Sequence, residues 1–483
     1  MTDYDVVIIG AGAVGCAAAY VLSGHEIKIA VVEKEADAAF GTSGRNSGVV
    51  HAGFNNEPGS LKAKLCVEGC RGFEELAARL GVKYIKTGKY VTGFSDNDRM
   101  ELERLKQQGE TNGTAGLEIV NGEDIRKRYP NIQGSFALWS GETGVFDPFE
   151  YTVKLAEAAF RSGADFVFGA EVTCIEKEDG IFRVSYEKGY SKHLEEKTGS
   201  LTADIVINCG GLYSADICRM AGIDRFEIRP CRGEYHILDK KYSDLVDMPV
   251  YPVPDAEKGV LGVHLTPTVS GNIMIGPSAE FLEEKDDMGN DENVMALLKE
   301  GAETLMPELR GASVIRSFSG IRPKLIDKEG KVKGDFVIER SAKCPGFIYL
   351  VGIESPGITS SMPIAKMVLG LTEEVLGRKL VKKTDIPEAV EEAQDMSAFS
   401  SMVCRCEKIT EGDILKAYDD IIRIGGIPTL KGIKNRTRAS MGSCQGSFCT
   451  ADIAEVLRKH RGIDISEITY DGPGSELFFG RLK

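Results

Sequence analysis

Three things are missing from this chain: an excess of positive charge, a basic segment ahead of its one long apolar run, and any internal repeat or low-complexity tract. A net charge of −14 argues against binding nucleic acid, or adhering to anionic lipid, through a basic face. An anionic small molecule has to be attracted by local arginine or lysine instead. The apolar run YDVVIIGAGAVGCAAAYVL, Tyr4 to Leu22, is preceded by Asp3 and punctuated by glycines at fixed offsets. It therefore reads as neither a secretory leader nor a membrane span. A cytoplasmic, reducing location is expected, in which the twelve cysteines serve metal binding or redox chemistry rather than disulfides.

What is present is an ordinary globular composition, 42% hydrophobic and 27% charged, over 483 residues, which is too long for one simple core. Two or three domains are expected. Tyr4 to Ile9 is short, apolar and β-branched, the text of a buried parallel strand. Gly10, Gly12 and Gly15 then form a G-x-G-x-x-G that leads into a helix over Ala13 to Leu22. The first glycine permits a tight turn and the second lets the backbone approach a pyrophosphate. The third lets helix and strand pack closely, with the helix N-terminus facing the phosphates. The next strand is expected over Ile27 to Val32. It ends at Glu33, 18 residues after Gly15, where a carboxylate can hold the hydroxyls of a ribose. A dinucleotide site follows from these features together.

Helical periodicity recurs in LKAKLCVEGCRGFEELAARLG, an αβ stretch in Tyr151 to Ile175, and a strand in LTADIVINCGG. Residues 225–325 alternate strand-like and turn-like text, as an antiparallel sheet requires, and 335–370 returns to strand, glycine loop and helix. The charged, low-aromatic stretch GRKLVKKTDIPEAVEEAQDMSAFSS reads as a connector, and the short remainder would gain from a metal staple.

The segment GTSGRNSGVVHAG (41–53) is dense in glycine, hydroxyl and amide groups, suited to wrapping phosphates and a flavin ring. Here the chain resembles the FAD-dependent family of D-amino-acid oxidase, glycine oxidase and glycerol-3-phosphate dehydrogenase folds. SGRNSGVVHAG followed by PGSLKAKLCVEG looks most like L-2-hydroxyglutarate oxidase within it. RGEYHIL, YPVPD, LGVHLTP, SFSGIRPK and GIESPGITSSMPIA extend the likeness over roughly residues 1–370. The resemblance implies FAD contacts at Gly10, Gly12, Ala13, Val14, Gly15, Glu33 and Lys34. It adds Thr42, Ser43, Arg45, Asn46, Ser47 and Gly48, then Val172, Gly210 and Gly211, and a late loop of Gly357, Ile358 and Thr359 at the ring. The implied fold is an α/β Rossmann-type, glutathione-reductase-like FAD-binding domain interleaved with an antiparallel-sheet substrate domain. Its FAD-binding parts fall at about 1–75, 145–225 and 326–375, and its substrate parts at about 76–144 and 226–325. A linker over 376–401 and a small α-rich domain over 402–483 complete the chain.

Oxidation of a secondary alcohol requires removal of a hydroxyl proton, and a neutral imidazole is the natural base near pH 7. His51, in the flavin-wrapping motif, is the first candidate; packing against the flavin, or a covalent bond to it, are its alternatives. His264 is the second candidate, with a structural role as its alternative. His25, His193 and His460 lie in solvent-looking text. Arg322 suits a carboxylate or phosphate clamp, against the alternative of an inter-domain salt bridge. Tyr235 and Arg232 are expected on the same cavity. Glycerol-3-phosphate dehydrogenases of the family show Arg-Tyr soon after their H-x-G, whereas HAGFNN here places Asn55 there. That departure favours a carboxylate substrate, while the overall architecture favours glycerol-3-phosphate.

Cys404 and Cys406 form C-x-C, and after 37 intervening residues Cys444 and Cys449 form C-x4-C. C-x-C is awkward for zinc, and four thiolates are the usual complement of a [2Fe–2S] cluster; zinc and unligated thiols stay as alternatives. CRCE and TRASMGSCQGSFC resemble the bacterioferritin-associated-ferredoxin-like [2Fe–2S] domain. Thr410 with Asp413 marks a helix start, while Lys434, Arg436 and Arg438 either offset cluster charge or form a solvated face. Cys66 and Cys70 read as buried small residues. The expected protein oxidises a small anionic secondary alcohol with FAD and passes electrons through the cluster to a partner protein, with no nucleic acid and no membrane insertion. Glycerol-3-phosphate leads and L-2-hydroxyglutarate or another 2-hydroxyacid follows. An amino acid, or a non-catalytic electron-transfer subunit, stands behind them.

Overall fold

The computed structural model describes residues 2–190, 197–254, 262–384 and 399–477. His193, residues 385–398 of the expected linker, and Asp255 and Leu261 at the ends of two quoted motifs lie outside them. Tyr4–Ile9 runs at the centre of a parallel sheet, between Ile29–Val32 and the C-terminal half of Thr198–Asn208. Ala164–Val167 extends this sheet on one side and Phe347–Val351 on the other. Both faces are covered, which is why the central strands carry continuous apolar runs, VVII and IAVV, rather than alternating. Val6 and Ile8 face a core shared with the helices Ala13–Ser23, Pro148–Arg161 and Ser361–Leu376. Val7 and Ile9 face the opposite core, built with Val172, Phe182, Leu212 and Ile217.

A second sheet of nine strands carries the long antiparallel ribbon Glu227–Leu238 against Val314–Ile326, in which Cys231 pairs with Arg322 and Tyr235 with Phe318. The expectation of a purely antiparallel sheet needs correction. Val250–Pro252 pairs in parallel with Lys89–Gly93, Val250 opposite Tyr90 and Pro252 opposite Thr92. Gly93 and Val250 are far apart in the chain, and strands joined by so long a connection can pair in parallel where a hairpin cannot.

Residues 402–477 form a unit with its own core of Val403, Ile414, Leu415, Ile433, Ile453 and Leu457, around the helices Glu411–Arg423, Leu430–Thr437 and Cys449–Arg461. The expected helix start is realised as a capping box: Thr410 Oγ1 accepts from Asp413 N–H, and the Asp413 carboxylate accepts from Thr410 N–H. Two expectations about charged residues are overturned. Arg436 is neither a solvated face nor a counter-charge to the thiols; it is buried against Asp37 and Glu157 of the first unit, 3.3 Å from the latter. Arg438 likewise reaches Asp147 and Glu407, each at 3.3 Å. His25 is buried too, its Nδ1–H donating to the Val21 carbonyl at 3.0 Å. The first part of the expected linker is strapped beside it, with Glu26 N–H donating to Val381 O (2.8 Å) and Lys383 N–H to Gly24 O (3.0 Å).

Candidate flavin and substrate site

The glycine turn leaves Tyr4–Ile9 at Gly10, whose φ of +105° suits glycine and whose missing side chain would stand 2.7 Å from the Cys209 carbonyl oxygen. A Cβ on Gly15 would meet the Gly10 carbonyl at 1.9 Å, so the helix sits directly on the turn. Ser43 Oγ accepts from Ala13 N–H (2.9 Å) at the helix start, which brings the segment 41–48 over the turn. Asn46 ties that segment together, donating to Ser43 O (2.7 Å) and accepting from Gly48 N–H (2.9 Å). Thr42 donates to Ile321 O (2.8 Å) and Arg45 to Ser319 O (3.2 Å), which anchors the loop on the second sheet. Glu33 accepts from Ala11 N–H (2.6 Å) and Glu35 N–H (2.9 Å); burial pushes its pKa up against these two bonds.

Together these residues wall one cavity of about 1480 Å³. Of the expected flavin-site residues only Gly15 and Gly48 do not line it, and both act by letting backbone approach backbone: a Cβ on Gly48 would lie 2.4 Å from Phe146 O. Lys34, Val172, Gly210, Gly211, Gly357, Ile358 and Thr359 all line it. A cavity with a helix start, a buried acid at the end of the second strand and a loop of amides suits an extended dinucleotide. FAD bound here supplies the hydride acceptor and returns electrons singly.

The same cavity collects His51, Tyr235, His264 and Arg322 from separate segments. His51 is oriented by its N–H donating to Thr359 Oγ1 (3.1 Å), and its Nε2 lies 3.3 Å from Ser355 Oγ. Burial, helped by the nearby Lys89 ammonium, lowers its pKa from 6.5 to about 3, so the imidazole is neutral and able to accept a proton. Arg322 donates to Ser278 O (2.9 Å) and sits beside Tyr235, which stacks on Phe318 with centroids 4.8 Å apart. It takes part in no ion pair among the described residues, so the inter-domain salt-bridge alternative falls away. Arg232 departs from expectation: it pairs with Glu280 (2.6 Å) and Asp287 (2.9 Å) and does not line the cavity. His264 stacks on Tyr251.

Two features of the site went unread in the sequence. Glu354, in the late loop, is buried between Lys62 (2.8 Å) and Lys324 (2.7 Å), which hold its carboxyl ionised against the burial that would raise its pKa. Lys89, on the strand Lys89–Gly93, projects a buried ammonium to the cavity wall, 4.6 Å from the Phe54 ring centroid and 4.3 Å from that of Tyr251. The one local sign was a lysine heading an otherwise apolar strand, KYVTG.

In the C-terminal unit the four thiols approach in two pairs. Cys406 and Cys444 sulfurs are 3.7 Å apart, and Cys404 adjoins Cys449, whose sulfur lies 3.3 Å from Ser440 Oγ. No group of three metal-ligating side chains converges among the described residues, as a mononuclear tetrahedral zinc site requires. Two thiolates for each of two irons is the demand of a [2Fe–2S] cluster, and pairs fit it. Backbone N–H groups of Gly446, Phe448 and Ser447 point at the Cys444 sulfur. This loop reaches the second sheet, where Arg316 donates to Gln445 Oε1 (3.2 Å), and elsewhere in the unit Tyr470 and Asp471 lie within electrostatic reach of Arg45 on the cavity wall.

Fold and site thus define a dinucleotide-dependent oxidoreductase with an attached thiolate-cluster unit. Comparison with known proteins agrees. The family described as FAD dependent oxidoreductase matches residues 5–371, and the BFD-like [2Fe-2S] binding domain matches residues 402–459. The chain belongs to the FAD-dependent oxidoreductase family and carries a C-terminal [2Fe–2S] domain. It is 35% identical to a glycerol 3-phosphate dehydrogenase from Caloramator mitchellensis, over 99% of both chains. It is 33% identical to the mitochondrial L-2-hydroxyglutarate dehydrogenase of Caenorhabditis elegans, over 78% of this chain and 94% of that protein. Among solved structures it resembles the dithionite-reduced, FAD-bound L-alpha-glycerophosphate oxidase of Mycoplasma pneumoniae, with a TM-score of 0.71 and 28% identity over 81% of this chain and 99% of that one. No helix among the described residues is long and apolar enough to cross a membrane.

Proposed function

We propose that the protein is a glycerol-3-phosphate dehydrogenase that oxidises the secondary alcohol to dihydroxyacetone phosphate and passes the electrons through the cluster to a partner protein. The observation that carries this reading is the end-to-end likeness to a glycerol 3-phosphate dehydrogenase, cluster unit included, in a chain whose cavity holds a base and an anion clamp. His51 Nε2 takes the hydroxyl proton; FAD, when bound, would supply the hydride acceptor. Thr359 holds the His51 backbone, and Arg322 beside Tyr235 binds the anionic end bidentately. The loop 41–48, with Gly10, Gly12, Glu33, Gly210, Gly211 and Gly357, holds FAD. Cys404, Cys406, Cys444 and Cys449 would hold the [2Fe–2S] cluster, which would supply a one-electron acceptor. The domain division follows the sheets: residues 1–375 work on the flavin and substrate, and 402–483 on the cluster.

L-2-hydroxyglutarate is the second reading, favoured by Asn55 where the phosphate-binding family members carry arginine, and by the relatives named for that substrate. Anaerobic titration of the holoenzyme with each compound decides between them. Bleaching of the flavin's visible absorbance by glycerol 3-phosphate, followed by appearance of the reduced-cluster EPR signal, is expected; bleaching by 2-hydroxyglutarate alone would replace the first reading by the second. Cys404→Ser and Cys444→Ser should each lower bound iron and acid-labile sulfide while leaving FAD in place.

A further inference from the structure

Five cations reach the wall of the cavity, and they are not equivalent. Lys34 pairs with Glu35 and Lys324 with Glu354. Arg45 is committed to the Ser319 carbonyl, on the wall that faces the C-terminal unit. Arg322 and Lys89 remain, and among the described residues neither forms an ion pair. Arg322 hydrogen-bonds the Ser278 carbonyl, the Cys231 sulfur and the Tyr235 hydroxyl, none of them a counter-ion. Lys89 is 3% exposed and accepts no compensation beyond the faces of Phe54 and Tyr251. An ammonium this deep is costly to keep charged, as any desolvated ion is, and ring faces return only part of that cost. A protein keeps such a group where a ligand completes it.

The two cations line the same cavity and are linked through two tyrosines. Arg322 adjoins Tyr235, Tyr235 lies within electrostatic reach of Tyr251, and Tyr251 carries Lys89 on its ring. His51 sits on the Lys89 side, close enough for the ammonium to act on its imidazole. We infer that Lys89 is the second cation of a two-cation site for the dianionic phosphoryl end of the substrate, opposite Arg322. The inference rests on the proposed function. A phosphate monoester carries a charge of about −2 near pH 7 and has three acceptor oxygens, so two converging cations match it where one leaves charge uncompensated. Lys89 contributes a compact point charge and Arg322 a planar fork, a division of labour phosphate tolerates well. A bound anion also cancels the Lys89 field at His51, so the base strengthens when substrate arrives.

The test uses the FAD-loaded full-length protein with Lys89→Met, which keeps the stem, and Lys89→Arg, which keeps the charge. Flavin content and thermal midpoint report folding. With glycerol 3-phosphate, Lys89→Met should raise KM roughly 10- to 100-fold, the size of a lost hydrogen bond to a charged group, with kcat reduced far less; Lys89→Arg should recover most of the loss. Equal losses in both variants, or an unchanged KM in Lys89→Met, would overturn the inference. If the wild type oxidises 2-hydroxyglutarate and not glycerol 3-phosphate, the proposed function fails and with it the phosphoryl assignment. If neither compound bleaches the flavin, inorganic phosphate is titrated against the flavin's visible spectrum. A perturbation present in wild type and Lys89→Arg and absent in Lys89→Met supports the site; one that persists in Lys89→Met refutes it.

Discussion

A neutral imidazole and a charged ammonium share the cavity, and their protonation sets how activity should follow pH. His51 stays unprotonated down to about pH 3 in the free protein, so it should give kcat/KM no acid limb centred on the ordinary 6.5. Burial lowers the Lys89 pKa from 10.5 to about 8. The groups facing it are His51, already neutral, and Cys66 and Tyr251, whose pKa values burial pushes up and which also stay neutral. The protonated ammonium is the form that attracts an anion, so kcat/KM should be flat between about pH 7 and 8 and fall towards tenfold per pH unit above it; on the acid side the second ionisation of the substrate phosphate, at about 6, supplies the limb. Steady-state kinetics across that range checks both limbs, and a fall in kcat centred near 6.5, with substrate already bound, would contradict the assignment of His51. His51→Gln should lose roughly 10²- to 10⁴-fold in kcat, the usual worth of a positioned base, while retaining FAD.

At the scale of elements, what was legible in the sequence is what is local. Strand, glycine turn and helix at Tyr4–Ser23 follow from neighbours in the chain, as does the Thr410–Asp413 cap, and each forms where its residues dictate. The parallel pairing of Lys89–Gly93 with Val250–Pro252 was not legible, because periodicity fixes which face a strand presents and not which distant strand lies beside it. Lys89 was missed for the same reason, since its neighbours Phe54 and Tyr251 arrive from other segments. The glycine turn offers a sharp test. A Cβ on Gly15 would lie 1.9 Å from the Gly10 carbonyl oxygen, which is backbone and cannot swing aside. Gly15→Ala should therefore cost about 1–3 kcal/mol through overpacking and lose most of its FAD on gel filtration. Gly72→Ala, on the open face of the helix Leu61–Leu80 where a Cβ meets nothing within 4 Å, should behave as wild type in the same assay.

At the scale of the whole molecule the question is how a hydride-accepting site and a one-electron cluster are held at a fixed separation. The answer lies in residues whose roles span the chain. Arg436, 6% exposed at its side chain, joins Asp37 beside the flavin turn and Glu157 on the helix Pro148–Arg161. Arg438 joins Asp147, the cap of that same helix, to Glu407 beside the first cysteine pair. Ile427 N–H donates to Ala36 O (2.8 Å), and Lys431 lies 4.2 Å from the Phe40 ring centroid. The unit is thus fastened along the segment that leads from Glu33 into the flavin-wrapping loop. Arg436→Met keeps most of the packing and removes the charge, leaving the buried Asp37 carboxylate without its cation while Glu157 keeps Lys154 (2.8 Å), a loss of about 3–5 kcal/mol by analogy with other broken buried pairs. Because the pair joins two separately cored units, the loss should appear first as undocking and not as global unfolding. Limited proteolysis should release the C-terminal unit, and stopped-flow should show flavin bleaching by substrate at nearly the wild-type rate with reduction of the cluster slowed. Cluster reduction keeping pace with the flavin in Arg436→Met would mean that the docking seen here does not govern the electron route.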